Sequence, residues 1–398
     1  MTPAKAVYDV VVVGGGLAGL MAAARAEALG AATALIDAGV PGTPGELGGF
    51  APFSGAKFSL FPAGTGISPL VGGDEALIEA YQRTCAQFAE LGFPQFRIEG
   101  REAVGEQAEL GHDLAYRRYH SILLSPGEIV SLLAALSGRL QRTRVLRATA
   151  INLSLSGGPP FGVELEHRSV VAGERLIVAA GRLGSSLLER AGVPPTRGKG
   201  IDVGVRLGFA NRGPLLGLRS KGPDAKFMAD GVRTFCLNSP GRIFHYPGLG
   251  FQLPGGIVAD PGWSESNVGV LCRLPDKAAY LRDLAARASA GDPSGLRLTG
   301  SGGDLGWTAA SRSLLGEPVV ERLTGFIEKL MSSGLVDLPP DYAVHYPLLD
   351  WHWPVFSLPG RLGTSVPGVL AAGDASGHAR GLLQAAVMGT LAAEESLS

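Results

Sequence analysis

The sequence predicts an α/β fold with a second, mixed α+β domain inserted in it, and three observations predict it. A run of β-branched residues, Val10 to Val13, passes directly into a glycine-rich turn, Gly14-Gly15-Gly16-Leu17-Ala18-Gly19. Near the other end, Val369 to Ala372 is a second short apolar run, ending in Gly373-Asp374. Between them, Val203 to about Pro354 loses the strand-helix rhythm and holds most of the aromatic and turn residues. Continuous apolar runs are the mark of strands covered on both faces of a parallel sheet.

Val10 to Val13 reads as the first strand, Leu20 to Leu29 as an Ala/Leu-rich helix stopped by Gly30, and Ala31 to Ile36 as a second strand before Asp37. Together these form a βαβ unit. Gly39 to Gly73 is rich in Gly, Pro and Ser without periodicity, and a loop of that length usually carries function. Asp74 to Leu91 has helical periodicity. Ser125 is placed to cap a helix running to about Leu140, with Glu128 at capping-box spacing. Arg144 to Leu155, Phe161 to His167 and Arg175 to Ala179 read as strands. The inserted domain is expected to hold helices near Lys277 to Ala288 and Val319 to Met331. Val369 to Ala372 is the last strand, and Ala379 to Glu395 the closing helix.

Composition narrows the function. Lys+Arg 35 against Asp+Glu 36 gives a net charge of -1, without the basic excess of a nucleic-acid binder. Cys85, Cys236 and Cys272 stand far apart with no Cys-x-x-Cys pair, which supports neither a dithiol redox centre nor a metal site. Apolar stretches are broken well short of a membrane span, and Met1 to Asp9 has no apolar signal core. A cytoplasmic protein without a membrane or nucleic-acid partner is expected.

The turn after the first strand has the Gly-x-Gly-x-x-Gly spacing of a Rossmann-type dinucleotide site, with acidic Asp37 about 20 positions on. Gly14 allows the tight turn, Gly16 lets a pyrophosphate approach the backbone, and Gly19 lets helix pack on strand. Free N–H groups at the helix start, on Leu17 and Ala18, favour an anion there. Asp37 is suited to accept hydrogen bonds from ribose hydroxyls.

The segment Gly373-Asp374-Ala-Ser-Gly-His378-Ala-Arg-Gly381-Leu382-Leu383-Gln384 resembles the second flavin fingerprint of the glutathione-reductase-like flavoproteins. Ala179-Ala180-Gly181-Arg182 resembles their middle motif. The resemblance implies FAD as cofactor, with Asp374 on the ribityl chain or its phosphate and the helix after Gly381 pointing its positive end at the flavin. Gly49, Ser54 and Ala150 complete the implied FAD contacts. Four stretches are similar to a family of bacterial FAD-dependent dehydrogenases: Phe53 to Phe58, Gly181 to Ser185, Asp202 to Leu207, and Lys226-Phe with Val232 to Cys236. Where that family implies Ser-Asp-Gly-Lys, this chain has Ser54-Gly55-Ala56-Lys57.

The expected architecture is an FAD-binding domain of residues 1–60, 120–205 and 355–398 with a substrate domain of 61–119 and 206–354. No second glycine fingerprint occurs mid-chain, so a dedicated NAD(P)H domain is not expected. NAD(P)H would bind transiently, or a redox partner protein or the substrate would supply electrons.

Four residues are candidates for catalysis. Lys57 lies in the loop expected beside the flavin, where its charge could act; the alternative is an exposed loop lysine. Arg206 suits a substrate carboxylate, with an interdomain ion pair as the alternative. His378, between the Gly-Asp pair and the closing helix, could move protons at neutral pH or be a plain loop residue. His352 sits where the chain returns from the inserted domain, as His245 sits within it, and each alone is more often structural. Cys236 reads as a buried apolar residue. Trp351-His-Trp353-Pro resembles part of the Trp-x-Trp-x-Ile-Pro string of flavin-dependent halogenases but lacks its Ile-Pro, and reads as pocket wall or interdomain packing. The expected function is an FAD-dependent oxidoreductase moving hydride between flavin and a small, partly apolar organic substrate. Alternatives are a flavin-dependent monooxygenase or halogenase, and a non-catalytic FAD-binding protein.

Overall fold

A computed structural model describes residues 7–39, 46–98, 106–111, 113–196, 200–248, 251–274, 280, 283–284, 297–351, 355–356, 361–378 and 380–398. Its first sheet is seven-stranded, in the order Arg144–Arg147, Thr33–Asp37, Val7–Val13, Val170–Val178, Phe161–Leu165, Ala150–Ser154, with Val369–Ala371 also paired to Val170–Val178. Val7–Val13 lies parallel to both neighbours, and Val369–Ala371 is parallel to Val170–Val178. The register sets Val13 opposite Ile36 and Val178, and Val178 opposite Ala371. The carboxyl ends of these strands are therefore level, and Gly14, Asp37, Ala179 and Ala372 leave the sheet at one edge. In open α/β sheets ligands bind outside that edge.

The second sheet is eight-stranded, in the order Arg297–Gly300, Tyr342–Trp351, Ile201–Phe209, Ser266–Leu274, Val232–Asn238, Lys226–Ala229, Leu114–Arg118, Glu106–Leu110. Every pairing in it is antiparallel. The helix Glu317–Ser332 buries Val319, Val320, Leu323, Phe326, Ile327 and Leu330. That spacing forms a single apolar stripe, and it packs on the central strands of this sheet. The hairpin Gly241–Gly248 with Phe251–Val258 is a separate two-stranded ribbon beside it.

Two hydrophobic cores result, one per sheet. Ile67, Leu77, Tyr81, Phe88 and Phe96 belong to the first. There Phe58, Phe88 and Phe96 meet edge to face with centroids 4.9–5.8 Å apart. The 67–96 part of the segment expected in the inserted domain thus packs on the nucleotide domain, while Leu114 and Tyr116 join the second core.

Several local expectations appear with changed limits. The helix Pro126–Gly138 carries the expected box: Glu128 N–H donates to Ser125 Oγ at 3.3 Å and Ser125 N–H to Glu128 Oε2 at 2.7 Å. The first helix, Leu17–Ala28, begins three residues before the expected Leu20. The long strand expected from Arg144 to Leu155 is two, Arg144–Arg147 and Ala150–Ser154. The closing helix is Leu382–Ser396, not from Ala379, because Gly381 before it has φ 120. The helix expected from Lys277 to Ala288 falls largely outside the described residues. Among the described residues, no helix is long and apolar enough to cross a membrane.

Candidate functional site

The glycine loop is built as its spacing requires. Gly14 has φ 104, and a Cβ there would lie 2.5 Å from Ala179 O. A Cβ on Gly19 would collide with the carbonyl of Gly14. Gly16 differs: its φ of -67 suits any residue, and the nearest atoms to a Cβ there are 3.9 Å away. Among the described residues no protein group demands glycine at Gly16, and its bare edge is left for something that approaches the backbone. The helix that starts at Leu17 has no side-chain cap and no acidic residue in its first turn. Its first N–H groups thus form an anion-favouring end.

Asp37 stands at the rim of this loop. Its Oδ2 accepts from Gly15 N–H at 2.5 Å and its Oδ1 from Gly39 N–H at 2.7 Å. Gly48 N–H donates to Gly15 O at 2.8 Å, and Gly49, with φ 56, lies over Gly16. Ala148 N–H donates to Asp37 O at 3.0 Å; Ala150 begins its strand two residues further on.

The three motifs converge. Gly14 abuts Ala179 and Ala180, and a Cβ on Gly373 would lie 3.1 Å from Ala18 Cβ. The helices Leu17–Ala28 and Leu382–Ser396 pack so closely that a Cβ on Gly389 would collide with Ala18 O. Gly181 opens the helix Gly181–Arg190 with φ 56. Burial pushes the Asp374 carboxyl up, against the opposing pull of Arg380 and Arg182. A carboxyl so placed, beside two arginines and an uncapped helix start, fits a polar, hydroxyl-bearing and phosphate-bearing cofactor. Leu383 is buried in the core and Leu382 half-buried. Gln384 Nε2 donates to Ser59 O and Tyr81 Oη, both at 2.9 Å, so its amide ties the closing helix to the 59–63 loop.

An ion network that the sequence did not reveal joins the site to the inserted domain. Asp202 and Asp350 are opposed on neighbouring strands and buried. Arg233 bridges both, at 2.7 and 3.4 Å, and Arg273 holds Asp202 with two contacts. From the nucleotide domain, Arg380 Nη1 lies 2.5 Å from Asp350 Oδ2, and Arg182 Nη2 4.0 Å from Oδ1. Burial alone would raise the Asp350 carboxyl, but Arg380, Arg233 and Arg182 hold it below the usual range. Arg182 and Arg380 each adjoin a motif glycine in sequence, and that adjacency was the available signal.

Of the four expected catalytic residues, Lys57, Arg206 and His378 lie among the described residues, and Lys57 and Arg206 donate to the adjacent carbonyls of Leu237 and Cys236. Lys57 opens a short strand, Lys57–Ser59, paired with Ser121–Leu123. Its ammonium donates to Leu237 O and lies 4.0 Å from Asp224 Oδ1. With Ser59 Oγ on Asp224 Oδ2 at 2.7 Å, it fastens the nucleotide domain to the inserted sheet and is not an exposed loop lysine. Ser54 adds a third link, its carbonyl accepting from Val258 N–H at 3.1 Å. His378 Nε2 is 2.9 Å from Phe356 O. Arg206 is buried, with Nη1 on Asn267 Oδ1 at 2.7 Å and Cys236 O at 3.3 Å. Among the described residues no carboxylate pairs with it. The expectation of a buried apolar Cys236 is corrected: the residue is half-buried with φ 47. His352, like Trp353, lies outside the described residues.

A second feature missed in the sequence is aromatic. Phe50 and Phe53 of the nucleotide domain meet Phe244 and Tyr246 of the hairpin, with centroids 5.7–6.1 Å apart. Phe50 remains 53% exposed, so this is a surface cluster at the seam between domains.

The model of the FAD binding domain family matches residues 9–47, the βαβ unit and its loop. No curated protein matches. Among solved structures the chain is similar to NikD, an unusual amino acid oxidase, at 14% identity over 98% of this chain and 94% of that one, with TM-score 0.48. It is also similar to a geranylgeranyl bacteriochlorophyll reductase-like protein from Thermoplasma acidophilum, at 14% identity over 98% of this chain and 78% of that one, with TM-score 0.46. A third likeness is to CtdE in complex with FAD, at 11% identity over 98% and 83%, with TM-score 0.40. Likeness of this degree says nothing of substrate. The family match and the loop geometry agree on an FAD-binding site at the edge of a parallel-sheet nucleotide domain.

Proposed function

We propose that the protein is a dehydrogenase or reductase that moves hydride between FAD and a small, partly apolar organic molecule. The observation that carries this reading is the convergence of Gly14–Gly19, Ala179–Gly181 and Gly373–Asp374 at one edge of the sheet, facing a seam with the inserted domain. The loop N–H groups and the helix start at Leu17 would hold the pyrophosphate, Asp37 the adenosine ribose, and Asp374 the ribityl side. Bound FAD supplies two-electron chemistry, accepting or returning hydride. The chain's own residues supply the enclosure. Lys57, Ser59 and Ser54 fasten the two domains together, and Phe50, Phe53, Phe244 and Tyr246 offer an apolar wall at the seam.

Anaerobic mixing of the FAD-loaded protein with candidate alcohols, amines, enoates and NAD(P)H tests the reading. Bleaching of the oxidised flavin spectrum by one of them is expected. A flavin that dithionite reduces but none of these bleaches, in a protein that never turns over, would overturn it in favour of a binding role. Substrate-dependent oxygen uptake with incorporation into product would overturn it in favour of a monooxygenase.

A further inference from the structure

A cavity of about 240 Å³ opens between residues 118–121 and 220–223. The first stretch leads from the strand Leu114–Arg118 into Ser121–Leu123, and the second follows the short helix Leu216–Ser220. Gly222 lets the two approach. Its φ of 127 is in the left-handed region that favours glycine, and a Cβ there would lie 3.4 Å from Arg118 Cγ. Pockets that enclose a whole drug-sized ligand run to about 300–1,000 Å³. This one fits a compact head group, with the rest of its molecule outside.

Its walls carry charge of one sign. Arg118, His120 and Lys221 line it and are exposed, and among the described residues that line it none is a carboxylate. Asp224, the acidic residue nearest in sequence, is engaged behind the wall. Its Oδ2 accepts from Ser59 Oγ at 2.7 Å, and its Oδ1 lies 4.0 Å from the Lys57 ammonium. Ser121 Oγ donates to the same Ser59 Oγ at 2.9 Å, and Ser220 Oγ to Gly217 O at 2.8 Å. Both hydroxyls thus place their protons inside the protein, and the donors that the lining offers are the guanidinium, the ammonium and the imidazole. More positive charge stands close by. Lys226 Nζ lies 4.5 Å from the centre of the Tyr119 ring, and Arg117 Nη1 3.5 Å from its hydroxyl. The strand register sets Glu106 opposite Arg118; a guanidinium has donors enough for a carboxylate on one edge and a second anion on the other. A cleft lined by one sign of charge concentrates ligands of the other sign.

We propose that this cavity binds the phosphoryl head group of a mobile ligand, a terminal phosphate or a pyrophosphate. The planar fork of Arg118 suits two oxygens at once, and Lys221 acts as a point charge from the facing wall. A single carboxylate would be satisfied by one such fork; basic side chains on both walls match a group with two negative charges. The inference does not rest on the flavin reading above. The site is nonetheless linked to the flavin segment. Ser121–Leu123 pairs with Lys57–Ser59, and Ser59 O accepts from Gln384 Nε2 at 2.9 Å. Phosphates of a nicotinamide cofactor and those of a phosphorylated small molecule share this chemistry, and neither needs a second glycine fingerprint.

The test is calorimetric titration of the full chain, saturated with FAD, with sodium pyrophosphate; the FAD keeps the probe out of the Gly14–Gly19 loop. One site per chain is expected. Arg118→Gln and Lys221→Gln should each weaken binding about 3-fold, and the two together at least ~10-fold. Both side chains are exposed, so the variants are expected to melt as the wild type does. Arg83→Gln removes an exposed charge from the helix Asp74–Glu90 and controls for bulk charge; it should leave binding unchanged. Separate titrations with NADPH, NADH and inorganic phosphate distinguish the sources. NADPH binding that the double variant loses, with NADH weaker, assigns the site to the extra phosphate of NADPH. Binding of pyrophosphate and phosphate but of neither nucleotide assigns it to a phosphorylated small molecule. No binding of any of these probes, binding that the double variant keeps in full, or an equal loss in Arg83→Gln would overturn the proposal.

Discussion

Gly16 and Gly19 stand three residues apart in one turn and are glycine for different reasons. At Gly19 the protein itself forbids a side chain, because Gly14 O occupies the space. At Gly16 the described residues leave room for one, and a bound ligand would forbid it. Gly19→Ala is therefore expected to destabilise the fold by about 3 kcal/mol or more, by overpacking against backbone that cannot yield. Gly16→Val should leave the melting temperature of the flavin-free protein nearly unchanged while weakening FAD binding at least ~10-fold, through a blocked backbone approach. Thermal melts and fluorescence titration separate the two. Ala56 carries a related lesson. It has φ 47, in the left-handed region that favours glycine. Ala56→Gly should gain up to about 1 kcal/mol in a denaturant titration, because relief of left-handed strain outweighs the added chain entropy. These residues were legible because local spacing determines them. The neutral surroundings of Arg206 were not, since they depend on which distant strand lies over it.

Elements read well where their signals are local. The Ser125–Glu128 box and the apolar stripe of Glu317–Ser332 needed no tertiary information. The pairing of Glu106–Leu110 and Leu114–Arg118 onto the edge of the eight-stranded sheet did, because strand partners are chosen over long separations. The same long-range pairing makes a pH-sensitive contact between elements. His345, on Tyr342–Trp351, lies 3.2 Å from His245 of the hairpin. Burial, then the neighbouring His245, Arg297 and Arg206, lower its pKa to about 4. The unfolded chain takes up this proton near the ordinary histidine value, and the folded one only near 4. Stability from this group is complete above the ordinary value and falls as pH drops toward 4. His345→Gln should flatten that part of the melting-temperature profile; an unaltered slope between pH 6.5 and 4 would contradict the assignment.

At the scale of the molecule, two cores are joined through a short list of polar contacts. Asp350 is the central one, since it belongs to the inserted sheet yet holds Arg380 of the flavin segment. Asp350→Asn removes the carboxylate that Arg380 Nη1 contacts and one of the two that Arg233 bridges, and is expected to destabilise by about 3 kcal/mol. It should also weaken FAD binding by loosening the residues around Asp374, as a flavin titration would register. The sequence carried the glycine motifs but not this coupling, because Asp350 has no motif and its partners lie on another strand, a helix and the loop before the closing helix.

The central claim is that the level strand ends form a single FAD site. The direct measurement is to load the purified chain with FAD, remove free flavin, and quantify what heat denaturation releases, with Gly16→Val in parallel. One FAD per chain is expected from the wild type, and little or none from Gly16→Val. A wild-type chain that retains no flavin, or a Gly16→Val chain that retains it fully, would contradict it.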